Sequence, residues 1–255
     1  GHAIEARIYA EDPDKGFLPA TGTIAHLALP APSAHVRVDT GVTSGDAITP
    51  HYDPMIAKLI VWDADRTQAL ARMRDALAQV QIVGLTTNVA FLQRVIASPA
   101  FANADLDTGL IERNREVLFP TATPASDSHV VLVVLDELLR LDAHARAAAA
   151  GSADPHSPWS LSDGWRLNED NHHVFVLKEG ERQVAVTVHY RDDGYEIELG
   201  GARRTLRGHR DPGGHVRAWL DDRAFSGEVV AQGQRRDVFV GGERHGFELH
   251  DPMLH

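Results

Sequence analysis

The residues able to do polar chemistry are spread along this chain rather than gathered in one motif. Arg7 stands between Glu5 and Glu11 in an alternating run, and by itself it reads as a strand arginine in a solvated ion pair with one of the two. Asp53, between Tyr52 and Pro54 at the entry to the apolar run Met55 to Ile60, reads as a turn-forming aspartate. Lys58 interrupts that run and reads as an edge lysine snorkelling to water. Arg37, in His35-Val36-Arg37-Val38-Asp39, reads as an exposed strand arginine. Fifteen histidines invite a metal, and His172-His173 is the nearest approach to a cluster. Adjacent residues on a strand point to opposite faces, so the two cannot easily share an ion, and no metal is expected. The absence of cysteine excludes a thiol nucleophile, a disulfide framework and any thiolate metal site. Gly241-Gly242 lies between strand-like runs rather than ahead of a helix, which makes it a turn and not a phosphate cradle.

The formal charge of -11, from 36 acidic and 25 basic residues, argues against nucleic acid and anionic lipid as partners. No charge-free apolar run approaches the roughly 20 residues of a bilayer span, and the N-terminus does not resemble a signal sequence. A soluble, cytoplasmic chain is expected. It begins Gly1-His2-Ala3 without an initiator methionine, which suggests a piece of a longer protein, with Gly-His either native or a cloning scar.

At 255 residues, 43% of them hydrophobic, the chain can form two modest cores. The first part reads as mixed α+β. Strand-like runs at His2 to Tyr9, Gly22 to Leu29, His35 to Asp39 and Met55 to Trp62 are broken by Pro, Gly and Asp turns. Asp65 is positioned to cap a helix to about Val80, with Ala69, Leu70, Met73 and Leu77 at helical spacing. Further helices are expected from Thr87 to Ala97 and from Leu110 to Leu118. The stretch Phe119 to Ser126, with two prolines among small residues, has linker composition, so domains are expected at 1–120 and 121–255.

Beyond it, a helix from Asp127 or Ser128 to Ala150 is apolar on every side through Val130 to Leu135, the pattern of a buried helix. From His172 to Leu249, about eight short alternating runs are separated by Gly and Asp turns, the pattern of an antiparallel meander able to close on itself. The expected second domain is an antiparallel β-barrel of about eight strands wrapped around the preceding long helix.

Three segments carry a resemblance. Gly1 to Pro13 (Gly-His-Ala-Ile-Glu-Ala-Arg-Ile-Tyr-Ala-Glu-Asp-Pro), His51 to Ile60 (His-Tyr-Asp-Pro-Met-Ile-Ala-Lys-Leu-Ile) and Gly84 to Asn88 (Gly-Leu-Thr-Thr-Asn) together resemble the C-terminal subdomain of biotin carboxylase over roughly Gly1 to Pro120. The helix and strands that follow resemble the subunit-docking (BT) domain in the α subunits of propionyl- and methylcrotonyl-CoA carboxylases. Ser157-Pro158-Trp159 and Asp163 to Asn168 lean towards the methylcrotonyl branch, and with it leucine catabolism, ahead of propionyl-, acetyl- and geranyl-CoA carboxylases. Two rivals stand beside this reading, a non-catalytic assembly module and an unrelated ligand-binding barrel.

The resemblance implies an ATP-dependent ligase in which Arg7 stabilises the biotin enolate, Asp53 lies near the biotin pocket, and Arg37 sits at a homodimer interface. It implies that ATP and Mg2+ are held by the remaining biotin carboxylase subdomains, and that biotin is attached to a biotin carboxyl carrier domain, since Lys15, Lys58 and Lys178 lack flanking methionines. It also implies a carboxyltransferase β subunit as partner, with Trp159 as the docking anchor. Trp165 reads instead as a plug for one end of the barrel.

Overall fold

The computed structural model describes residues 1–51, 53–150 and 172–250. It divides into two compact units, Gly1–Thr123 and Pro124–His255. In the first, the short strands β1 (His2–Tyr9), β2 (Glu11–Asp12), β3 (Leu18–Pro19), β4 (Gly22–Thr23), β5 (His26–Ala28), β6 (Val36–Thr40), β7 (Ala47–Ile48) and β8 (Met55–Asp63) precede helix α1 (Arg66–Ala78). Strand β9 (Gln81–Val83) and helices α2 (Val89–Ala97), α3 (Pro99–Ala102), α4 (Leu110–Arg113) and α5 (Arg115–Leu118) follow.

The sheet that matters for the site is antiparallel, in the order β1-β8-β6. Alternation dictates its faces. Ile4, Ala6 and Ile8 of β1 and Leu59 and Val61 of β8 turn inward to meet Ala69, Leu70, Met73 and Leu77 of α1. The intervening residues turn outward. Asp65 caps α1 as expected, accepting from the Gln68 amide at 2.9 Å.

Three details differ from the sequence reading. The run from Gly22 to Leu29 is two strands rather than one, because the chain changes partner midway: β4 pairs with β7 and β5 pairs with β9. Strand β9 was not anticipated, being three residues long between two helices. The segment from Leu110 to Leu118 is broken at Asn114, whose side chain donates to the Leu110 carbonyl at 2.8 Å and competes with the continuing helix.

In the second unit, helix α6 (Asp127–Ala150) precedes eight strands: β10 (His172–Glu179), β11 (Arg182–Arg191), β12 (Gly194–Leu199), β13 (Ala202–Arg210), β14 (Val216–Leu220), β15 (Arg223–Gln232), β16 (Arg235–Val240) and β17 (Glu243–His250). Each pairs with the next, and β17 returns to β10, closing the barrel and leaving no edge. The antiparallel barrel of eight strands around a long helix is as expected.

Val130 to Leu135 are all fully buried and share one core with Phe175, Val186, Ile197, Leu206, Val238 and Phe247 of the wall. The approach of helix to wall depends on two glycines. A Cβ on Gly208 would collide with a Leu135 methyl and the Arg217 carbonyl, and one on Gly227 would come within 2.8 Å of Leu132 Cδ1. Small residues at these two points let the barrel close over the helix.

Candidate functional site

The outward face of the β1-β8-β6 sheet is assembled from cross-strand rows. Arg7 lies opposite Lys58, which lies opposite Asp39. One step along, Glu5 lies opposite Ile60, which lies opposite Arg37. The tertiary fold therefore brings Arg7 and Arg37 onto adjacent rows of a single face. Trp62, farther along β8, stacks on His35.

Arg7 is 57% exposed, and its Nε donates to Glu5 Oε1 at 2.8 Å. This is the solvated ion pair foreseen from the residues alone. Hydrogen bonding to Glu5 and then to Tyr9 pushes the Arg7 pKa above its already high ordinary value, so the group is a permanent cation. Only part of its donor fork is committed, and an exposed pair of this kind is held loosely. Arg37 is in the same state, paired with Asp39 at 2.9 Å and exposed.

Asp53 accepts from the Met55 amide at 3.0 Å, two residues ahead in the turn entering β8. That is the turn-forming contact expected of an aspartate here, at the end of the sheet where Tyr9 pairs with Met55. Trp159 and Trp165 lie outside the described residues.

The residue that sequence reasoning quoted without assigning a role is Asn88. It is buried, and its side chain is tied to β1 at two points and to β2 at a third. Asn88 Oδ1 accepts from the Tyr9 amide at 2.9 Å, while Nδ2 donates to the Arg7 carbonyl at 3.1 Å and to Glu11 Oε1 at 3.0 Å. The Asn88 amide also donates to the Tyr9 carbonyl at 3.2 Å. Glu11, considered at first as an ion partner for Arg7, is instead taken up by Asn88. Burial raises the Glu11 pKa and the bond from Asn88 opposes that rise. The last residue of the Gly84 to Asn88 motif thus fixes the backbone immediately after the Arg7 side chain.

The two units also match known families. Residues 5–113 match the Biotin carboxylase C-terminal domain, and residues 127–252 match the Methylcrotonyl-CoA carboxylase, alpha-subunit, BT domain. The first unit belongs to the biotin carboxylase C-terminal domain family and the second to the methylcrotonyl-CoA carboxylase alpha-subunit BT domain family. It is similar to the mitochondrial methylcrotonoyl-CoA carboxylase subunit alpha of Dictyostelium discoideum, 43% identical over 190 residues covering 74% of this chain and 27% of that protein. The Arabidopsis thaliana counterpart is 41% identical over 274 residues, covering 97% of this chain and 37% of that protein. The propionyl-CoA carboxylase alpha chain of Homo sapiens is 47% identical over 109 residues, covering 42% of this chain and 15% of that protein. The chain therefore spans about a third of the length of these methylcrotonoyl-CoA carboxylase relatives. Among its described residues no helix is long and apolar enough to cross a membrane.

Proposed function

We propose that this chain supplies one edge of a biotin-carboxylation site, with Arg7 as its fixed cation, and a BT barrel that docks a carboxyltransferase β subunit. The observation that carries the proposal is the contrast at Arg7: its guanidinium is exposed and only loosely held, while its backbone is locked by buried Asn88. Biotin carboxylation develops negative charge on the ureido oxygen. A positioned cation there stabilises the transition state more than the neutral ground state. The planar donor fork of Arg7 fits an anionic oxygen, and rearrangement of its surface pair with Glu5 costs little.

The remaining assignments follow from the same reading. Asp53 borders the biotin pocket, Arg37 contributes to a homodimer interface, and Trp159 contacts the β subunit. The domains divide near residue 120. ATP and Mg2+ belong to biotin carboxylase subdomains of the longer relatives, and biotin to a carrier domain. Methylcrotonyl-CoA is the substrate favoured, supported by relatives of that name across both units. A cytoplasmic location is proposed, against relatives that are named mitochondrial. The ligand-binding barrel loses ground because α6 fills the lumen with packed side chains.

In the complete α subunit, Arg7→Ala should lower biotin carboxylation on the order of 10²-fold or more with the fold intact. Unchanged turnover would leave Arg7 as a surface ion pair and remove the proposal. This chain by itself should show no bicarbonate-dependent ATPase activity. Trp159→Ala should reduce co-purification of the β subunit without shifting the melting temperature.

A further inference from the structure

At one end of the barrel, three potential ligands from distant parts of the second unit converge. One ligand atom each from His129, near the start of α6, and from Glu243 and His245 on β17 lies within 4.8 Å of the other two. Glu243 and His245 are two apart on a strand, so the pleat directs both to the same side. His129 is 3% exposed, and its Nε2 is buried with no hydrogen-bond partner. An orphaned polar nitrogen of this kind is costly in a packed interior and calls for an explanation.

The surroundings already orient both rings. His129 Nδ1 lies 2.8 Å from Ser126 Oγ, and His245 Nδ1 lies 2.7 Å from Glu179 Oε1. Glu179 is itself held by the Ala125 amide at 3.1 Å and by Arg182 at 3.2 Å. A carboxylate can only accept from a neutral imidazole, so Glu179 selects the tautomer of His245 with its proton on Nδ1 and a lone pair on Nε2. The hydroxyl of Ser126 allows the same tautomer at His129, which turns its orphaned Nε2 from a wasted donor into a free lone pair. Histidines whose second nitrogen is bound to a carboxylate or another oxygen are the usual form of metal ligands.

We infer that His129, Glu243 and His245 form a binding site for a divalent transition metal, zinc by the chemistry of its donors. Two imidazoles and a carboxylate make a three-ligand tetrahedral set with a fourth position for water. Zinc-to-ligand distances of about 2.0–2.1 Å place tetrahedral ligand atoms about 3.3 Å apart, so the three side chains need to close by about 1.5 Å at most. Bound there, the ion ties the first turn of α6 to the hairpin between β16 and β17. It is a clasp on the open end of the barrel, distinct from the chemistry at Arg7.

The test uses the full chain of 255 residues stripped with a chelator. Zinc titrated by calorimetry should bind at a single specific site, and Co2+ in its place should give the visible absorption of a four-coordinate ion. Saturating zinc should raise the melting temperature by at least about 5 °C. His129→Asn disturbs a buried ring, so Glu243→Gln, at an exposed position, decides the case. It should weaken zinc binding at least about 10-fold and abolish the four-coordinate Co2+ spectrum while leaving the metal-free melting temperature unchanged. Failure of the wild-type chain to bind zinc overturns the inference. So does binding that survives the double change Glu243→Gln, His245→Gln at wild-type affinity, which would assign the ion to other histidines.

Discussion

The outer face of the first unit and the interior of the second use the same chemical pair, arginine with carboxylate, in opposite ways. On the sheet of the first unit, Arg7 with Glu5 and Arg37 with Asp39 are exposed, each partner drawn from its own strand two residues away. In the barrel, Asp136 of α6 is fully buried and pairs with Arg210 of β13 as well as with Arg140, and Glu137 of α6 pairs with buried Arg236 of β16 across 2.9 Å. Water screens the first set, so those arginines can exchange partners readily. In the second set Asp136 and the pair of Arg236 with Glu137 are shielded, so these groups cannot be released from their partners without a large penalty. The difference separates a surface suited to recognition from a network suited to holding a helix and a wall in one register.

The largest effect should come from cutting that buried network. Glu137→Ala leaves the buried Arg236 without its carboxylate, and should cost about 3–5 kcal/mol in chemical denaturation of the second unit. A loss below about 1 kcal/mol would mean that water reaches the site and that the contrast with the outer face is false.

Asn88→Ala should come next, at about 2–3 kcal/mol, since it strands part-buried partners on β1 and β2. Because those partners include the Arg7 carbonyl and the Tyr9 amide, the same change in the complete α subunit should lower kcat for biotin carboxylation more than it alters KM for ATP. A purely structural role would reduce the amount of folded enzyme without changing the ratio.

Acid should distinguish the first unit's structural carboxylates from its surface ones. Asp63 is held below its ordinary value of 3.8, first by the Ala64 amide and then by Arg72, with which it pairs at 2.6 Å. Its folded pKa is below its unfolded one, so this contribution to stability is present above about pH 3.8 and is lost as pH falls through the folded value. Asp63→Asn should flatten the acid limb of the stability profile below pH 4. An acid limb identical to wild type would show that the pair with Arg72 contributes nothing.

The smallest effect is expected on the outer face, where Glu5→Gln should leave the denaturation midpoint unchanged. A measurable loss there would place the Arg7 pair with the buried set, and would count against Arg7 as a cation free to meet a ligand.

The sequence by itself determined what depends on near neighbours. The alternation of Ile4, Ala6 and Ile8 specifies a strand with one buried face. The cap at Asp65 specifies where α1 begins. A helix apolar all round at Val130 to Leu135, followed by runs punctuated with Gly and Asp, specifies a core helix and a meander. The tight motifs at Arg7, Asp53 and Asn88 pointed to the family before any coordinates. What only the tertiary structure decided are the pairings between residues far apart in the chain. Asn88 reaches back to Arg7 because α2 ends up beside β1, and His129 meets Glu243 and His245 because the last strand closes the barrel next to the start of α6. The spacing Glu243-Arg244-His245 was a legible half of that cluster, two ligands on one strand face. The third lies on another element, and no local periodicity reports which distant element a barrel will close against.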